Sequence, residues 1–395
     1  MRDYLEFLKT PGAKSLLVAA FPARFAYGMI SLGLYFKIYH ETHSIAFAGF
    51  AAGANGIAGS LTTGVRAKLL DTYGLKWPLR SFVPAYSSAI LLVNASHSRD
   101  FLLLFSILLG IAAPPINLSV RPLWRSIVPQ ATLRTAYAID SSSMEIAAIL
   151  GPLAVTALAL SSHSGLALGV CSISLLIGGL SISSLDVVNR WIPEVRNPLE
   201  MKLFRIPGIR LLAIEGIFIG IGNGIFTIAL PAFSTLRHVP HMTSVVMAIT
   251  SSTMIVGSLI AGTIGKHWTP LQAFKRNYIF WTIAISPLAL TSPGWSLMLV
   301  GGLVGLFVGA QQVFYLEMLE YIRPKGAAAS ALGWMWMIEG SAAAVGSALG
   351  GTLSESISPQ FCFTLSSLAV LAGAIVTFSG QRYLQRANRK NVTLY

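Results

Sequence analysis

The sequence predicts an all-α membrane protein of twelve transmembrane helices in two six-helix bundles, and three observations predict it. Of its 395 residues 54% are hydrophobic and only 11% are charged, against about 25% charged in ordinary soluble domains. Apolar runs long enough to cross a bilayer, about 20 residues each, recur along the whole chain. The basic residues are also sorted: 24 of the 28 Lys and Arg fall in alternate polar segments, the others hold only Lys37, Arg99 and Arg237, and Arg24 lies inside a span. This composition excludes a soluble globular enzyme and a disordered polar chain.

Spans are expected near 15–37, 44–65, 79–97, 100–122, 134–160, 165–185, 209–234, 242–264, 277–292, 294–319, 327–352 and 358–380. The first has too long an apolar stretch, and no small-residue cleavage site after it, to be a removable leader. The ninth is short and interrupted by Pro287. The sorted basic residues place both termini in the cytoplasm of a multi-pass protein of the cytoplasmic (inner) membrane. The net charge of +13 then reflects orientation, and no nucleic-acid partner is expected. Cys171 and Cys362 sit in apolar runs and form neither a disulfide framework nor a metal signature.

The longest polar stretch, Asp186–Arg210, divides the chain. Residues 1–185 form an N-terminal six-helix bundle, 186–208 a cytoplasmic connector with amphipathic pieces, and 209–395 a C-terminal bundle with a basic cytoplasmic tail. The halves resemble each other at an offset of about 195: Pro129 and Pro324 follow spans four and ten, and Gly151 and Gly346 sit at matching depth in spans five and eleven. An even number of spans per half makes this a parallel repeat.

At this point the chain resembles the major facilitator superfamily over essentially its whole length. After span two, AKLLDTYGLKW is similar to the family's loop motif, with Asp71, Gly74 and Lys76 on the pattern, Ala67 in place of its leading glycine and Thr72 in place of its arginine. In span five ILGPLAVT is similar to the exporters' Gly-Pro motif at Gly151 and Pro152, while Val155 and Thr156 stand where a glycine pair is usual. The loop leading into span five looks like bacterial, particularly actinobacterial, members. The resemblance implies alternating access, with Asp71, Gly74, Lys76, Gly151 and Pro152 in gating roles. It also implies that spans one, four, seven and ten line a central cavity, which makes Arg24, Asn117, Asn223 and Gln311 substrate-facing candidates.

Ionisable groups inside a bilayer are costly and usually face a cavity or a partner. Arg24 lies roughly 14 Å into span one at 1.5 Å per residue, on a polar stripe with Tyr27. Glu145 in span five is at matching depth, with Asp140 about one turn shallower, so either could pair with Arg24. That pair is either a static link or a point where substrate or a proton competes. Glu339 and Glu215 have no basic residue at matching depth in their half, so each should be able to hold and release a proton. Glu339 is the preferred proton carrier and Glu145 the next. Gln311 and Tyr315, one turn apart, join the substrate candidates, although helix packing is the rival role for each. Glu317 and Glu320, beside Arg323 and Lys325, read as a solvated rim.

No nucleotide loop, histidine cluster or nucleophile motif is present, so no catalytic residue, metal or cofactor is expected. The partners expected are a small-molecule substrate, the lipid bilayer and protons, acting on a monomer. The function expected is secondary active transport of a small organic molecule, as proton-coupled efflux. The alternatives are proton-coupled uptake of a nutrient and a non-transporting sensor or assembly protein on the same fold.

Overall fold

The computed structural model describes residues 2–159, 165–192, 203–239, 241–264 and 268–385, and all regular structure among them is helical. Helices α1 (Arg2–Lys9), α2 (Ala13–Thr42), α3 (Ile45–Tyr73), α4 (Lys76–Ala95), α5 (Arg99–Ala112), α6 (Ile116–Ile127), α7 (Leu133–Ala159) and α8 (Leu166–Ser184) form the first half. After the short α9 (Asp186–Arg190) come α10 (Pro207–Leu236), α11 (His241–Thr263), α12 (Pro270–Ile285), α13 (Trp295–Ile322), α14 (Ala328–Ser356) and α15 (Pro359–Ser379). With α5 and α6 as two parts of one span, the chain has twelve long helical segments among the described residues. Helices suit lipid because each satisfies its backbone hydrogen bonds internally. Eight segments are apolar and long enough to span a bilayer by composition alone. Of the other four, α3 carries Arg66, Lys68 and Asp71, α12 has only 16 residues, and α4 and α14 are diluted by polar and small residues.

The first and second spans run past the expected 37 and 65 to Thr42 and Tyr73, and two others differ in start or continuity. The ninth starts at Pro270, seven residues before the expected 277, because Thr269 and Gln272 form a reciprocal capping box ahead of a proline at the first turn. It ends at Ile285, and Pro287 falls in a 3-10 turn over Ser286–Leu290. The fourth is broken between Ala112 and Ile116. Pro114 and Pro115 lack N–H donors and push their predecessors out of the helical region. Part of the expected connector, 193–202, lies outside the described residues.

The chain divides into two compact units, one of Arg2–Pro129 with Ser143–Val195 and the other of Gln130–Ser142 with Arg196–Tyr395. In the first, α2 and α4 pack on α8, α3 and α4 pack on α5, and α2 meets α7 at Gly28. In the second, α10 and α12 pack on α15, α11 and α12 pack on α13, and α10 packs on α14. Taken span by span, these are the same five pairings.

The repeat is finest at the glycines. A Cβ on Gly110 of α5 would overlap Asn55 of α3, and one on Gly305 of α13, 195 residues later, would overlap Thr250 of α11. Gly178 of α8 lies against Ala23 of α2, and Gly373 of α15 against Ile219 of α10. Gly151 of α7 meets the Gly28 backbone, and Gly346 of α14 meets that of Ile221. Small residues let helix backbones approach closely where lipid gives no hydrophobic drive.

Candidate functional site

The break in span four organises a buried polar cluster in the first unit. Without proline N–H groups, carbonyls near the break need other donors. The Tyr27 hydroxyl of α2 donates to the Pro114 carbonyl, and the Arg66 guanidinium of α3 donates to those of Ala113 and Gly59. One turn below α2's Tyr27, Arg24 donates from Nε to Asn117 Oδ1 at 3.1 Å, just past the break. Tyr86 of α4 closes the cluster edge-on to Tyr27, with ring centroids 6.2 Å apart. Arg24 and Arg66 are buried, at 3% and 7% exposure, and the Arg66 Nε has no hydrogen-bond partner. The cluster is thus rich in donors set around an interrupted helix.

Carboxyls dominate the counterpart in the second unit. Glu215 of α10, 4% exposed, accepts a hydrogen bond from the Tyr278 hydroxyl of α12. Tyr278 is fixed edge-to-face on Phe274 (5.2 Å) and stacked on Trp281 (5.6 Å). Glu339 of α14 lies within electrostatic range of Glu215, and Tyr315 of α13 within range of both. The neighbouring Asn277 turns to α13, donating to the Phe307 carbonyl at 2.9 Å and to Gln311 Oε1 at 2.7 Å. Gln311 is buried and its Nε2 has no partner.

Several sequence candidates lie elsewhere. Asn223 is exposed on α10, and Glu145 is half-buried on α7. Glu145 has Arg121 as its charged neighbour rather than Arg24, so the Arg24–Glu145 pairing gives way to Arg24–Asn117. Asp140 is fully buried beside Ser141. Asn55 of α3, not among those candidates, serves packing, donating to the Ser106 carbonyl at 3.0 Å.

Among the gating candidates, Asp71 is buried near the end of α3. Gly74 ends that helix at φ 79°, a conformation that favours glycine. Lys76 opens α4. Gly151 is the close contact with Gly28, and Pro152 follows it inside α7. Glu317 is not a solvated rim residue. It is buried and paired with Arg134 at 2.6 Å, whereas Glu320 pairs locally with Arg323 at 2.8 Å.

Arg66, Tyr86, Tyr278 and Trp281 were not legible as site residues. Arg66 reads as one more basic residue near a span end. Tyr278 lies at the edge of a span whose start was placed too late. The Pro114-Pro115 dipeptide was the available signal for the break.

Two like-built helical units with buried ionisable groups, one containing an interrupted span, define the class of polytopic membrane transporters. The family model of the Major Facilitator Superfamily matches residues 16–347, and the chain belongs to that superfamily. It is a membrane transporter of a small molecule and not an enzyme. Among solved structures it is similar to a bacterial homologue of the iron transporter ferroportin in an outward-facing state, with TM-score 0.76 and 16% identity over 94% of this chain and 99% of that one. A second structure of such a homologue, outward-facing with soaked iron, gives TM-score 0.75 and 14% identity over 93% and 99%. At such identity the likeness concerns the fold. No curated protein matches the chain.

Proposed function

We propose that the chain exports a small, partly apolar organic solute in exchange for protons, as a monomer in the cytoplasmic membrane with both termini inside. Residues 1–185 and 209–395 are the two moving bundles, joined by the connector 186–208. The observation that carries the proton coupling is the Glu215–Tyr278 hydrogen bond with Glu339 in electrostatic range. An ionised side chain at mid-bilayer costs about 2.5–3.5 kcal/mol even on the lenient insertion scale. Two neighbouring carboxyls there favour a shared proton over a double negative charge.

In the first unit Arg24, Tyr27 and Asn117 at the break are the proposed solute contacts, and in the second, taken by itself, Asn223, Gln311 and Tyr315 are. Glu215 and Glu339 carry the proton, and Asp140 and Glu145 assist. Asp71, Gly74, Lys76, Gly151 and Pro152 form the gating elements. The resemblance of the Gly151-Pro152 segment to the exporters' motif supports the outward direction, and the sorted basic residues support the orientation. Arg24, Asn117 and Tyr27 are groups suited to a polar organic solute.

Purified protein in liposomes, tested with a panel of fluorescent organic anions and cations while a trapped pH dye follows proton flux, tests the proposal. Glu215→Gln and Glu339→Gln should abolish gradient-driven accumulation while leaving solute counterflow without a gradient. Unchanged gradient-driven accumulation in both variants would sink the coupling scheme.

A further inference from the structure

A cavity of about 490 Å³ opens between the start of α12 and the end of α15, lined by Thr269, Gln272, Lys275, Arg276, Ile279 and Phe378 among others. Its polar end holds two cations. Lys275 Nζ reaches Gln381 Oε1 at 2.5 Å and lies 4.7 Å from the Phe378 ring centroid. Arg276 lies over the Trp268 ring at 4.5 Å. Neither makes an ion pair with a carboxylate among the described residues, so their partners are ring faces and one amide. The N-terminus of α12 adds its positive dipole end at the same place. Its other wall is apolar, and below it Ile279, Phe280 and Ile283 of α12 are 47%, 51% and 63% exposed, continuing a lipid-facing stripe along the helix.

We propose that this cavity binds an anionic phospholipid, its phosphate between Lys275 and Arg276 and its acyl chains along Ile279 and Ile283. Charge complementarity selects the occupant: two uncompensated cations require an anion, and the apolar stripe leading away requires that anion to carry hydrocarbon. Basic pockets between spanning helices are suited to acidic head groups. The leaflet rests on the proposed orientation, which places the start of α12 on the cytoplasmic side.

The test is full-length protein in detergent, titrated with phosphatidylglycerol or phosphatidylcholine of identical acyl chains, with bound lipid counted by native mass spectrometry. Wild type should retain phosphatidylglycerol roughly thirtyfold better, as about 1 kcal/mol for each of the two basic residues implies. Lys275→Gln with Arg276→Gln should bring the two lipids level. The conservative pair Lys275→Arg with Arg276→Lys, and the exposed control pair Lys14→Gln with Arg80→Gln, should keep the preference. Equal retention by wild type, or a preference surviving in the Lys275/Arg276 glutamine pair, overturns the proposal. Displacement of the lipid by inorganic phosphate alone also overturns it, because the site would then bind the free ion. Labelling of Arg382→Cys from one side of sealed vesicles reports the leaflet separately, so an inverted orientation fails without touching the lipid site.

Discussion

Arg134 and Glu317 form a buried ion pair, Nε to Oε2 at 2.6 Å, with side chains 7% and 10% exposed. The same guanidinium donates to the carbonyl of Ile264, just past the last turn of α11 where the helix dipole is negative, and to that of Trp268, ahead of α12. Its neighbour Thr135 donates to the Gly262 carbonyl at 3.0 Å. The first turn of α7 is thereby pinned to the ends of α11 and α13.

Arg134→Leu should therefore be severe, leaving a buried carboxylate without its cation at a cost of about 3–5 kcal/mol. Thermal unfolding in detergent measures this. The exchange Arg134→Glu with Glu317→Arg should not restore stability, because the carbonyls of Ile264 and Trp268 still require a donor at position 134. Full recovery in the exchanged protein would mean that the ion pair acts alone.

At the break, Tyr27→Phe removes one of two donors to the Pro114 carbonyl, the Ile116 N–H at 2.8 Å being the other, and should cost about 0.5–1.5 kcal/mol. The same variant should weaken solute binding, read as a raised KM in vesicles. An unaltered melting temperature would show that the Ile116 N–H alone satisfies the carbonyl.

The glycine contacts make a graded prediction. Gly151→Ala and Gly346→Ala each push a methyl group into a facing backbone and should destabilise by about 1–3 kcal/mol. Gly53→Ala meets nothing within 4 Å and should stabilise α3 by about 0.5–1 kcal/mol. Melting curves of the three variants decide it, and similar values for all would refute the packing account.

Tyr278→Phe takes the hydroxyl from Glu215 and keeps the ring between Phe274 and Trp281. It should shift the pH dependence of gradient-driven transport and, by leaving a buried carboxyl oxygen without its donor, cost about 1–3 kcal/mol in thermal stability. A profile identical to wild type would remove Tyr278 from the proton path.

Sequence reading recovered what depends on long averages: helical class, span number, and the parallel relation of the halves. It also picked out Arg24, Asn117, Glu215 and Glu339, which lie within α2, α6, α10 and α14, because few charges or amides are tolerated in such apolar segments. It failed where one residue's partner matters. Glu317, five residues from the end of α13 and near Arg323, carries no sequence mark of the distant Arg134 that buries it. The early start of α12 followed from Thr269 and Gln272, a local capping signal outweighed by the search for an apolar run. The glycines at 110 and 305, and at 178 and 373, could have been found by extending the offset that matched Gly151 to Gly346.

Those recurring glycines make each half a replicate of the other. A methyl group tolerated at position 110 but not at 305, or at 178 but not at 373, would show where two copies of one design have taken on separate duties. Any damaging change found at one such contact already names the residue to examine 195 positions away.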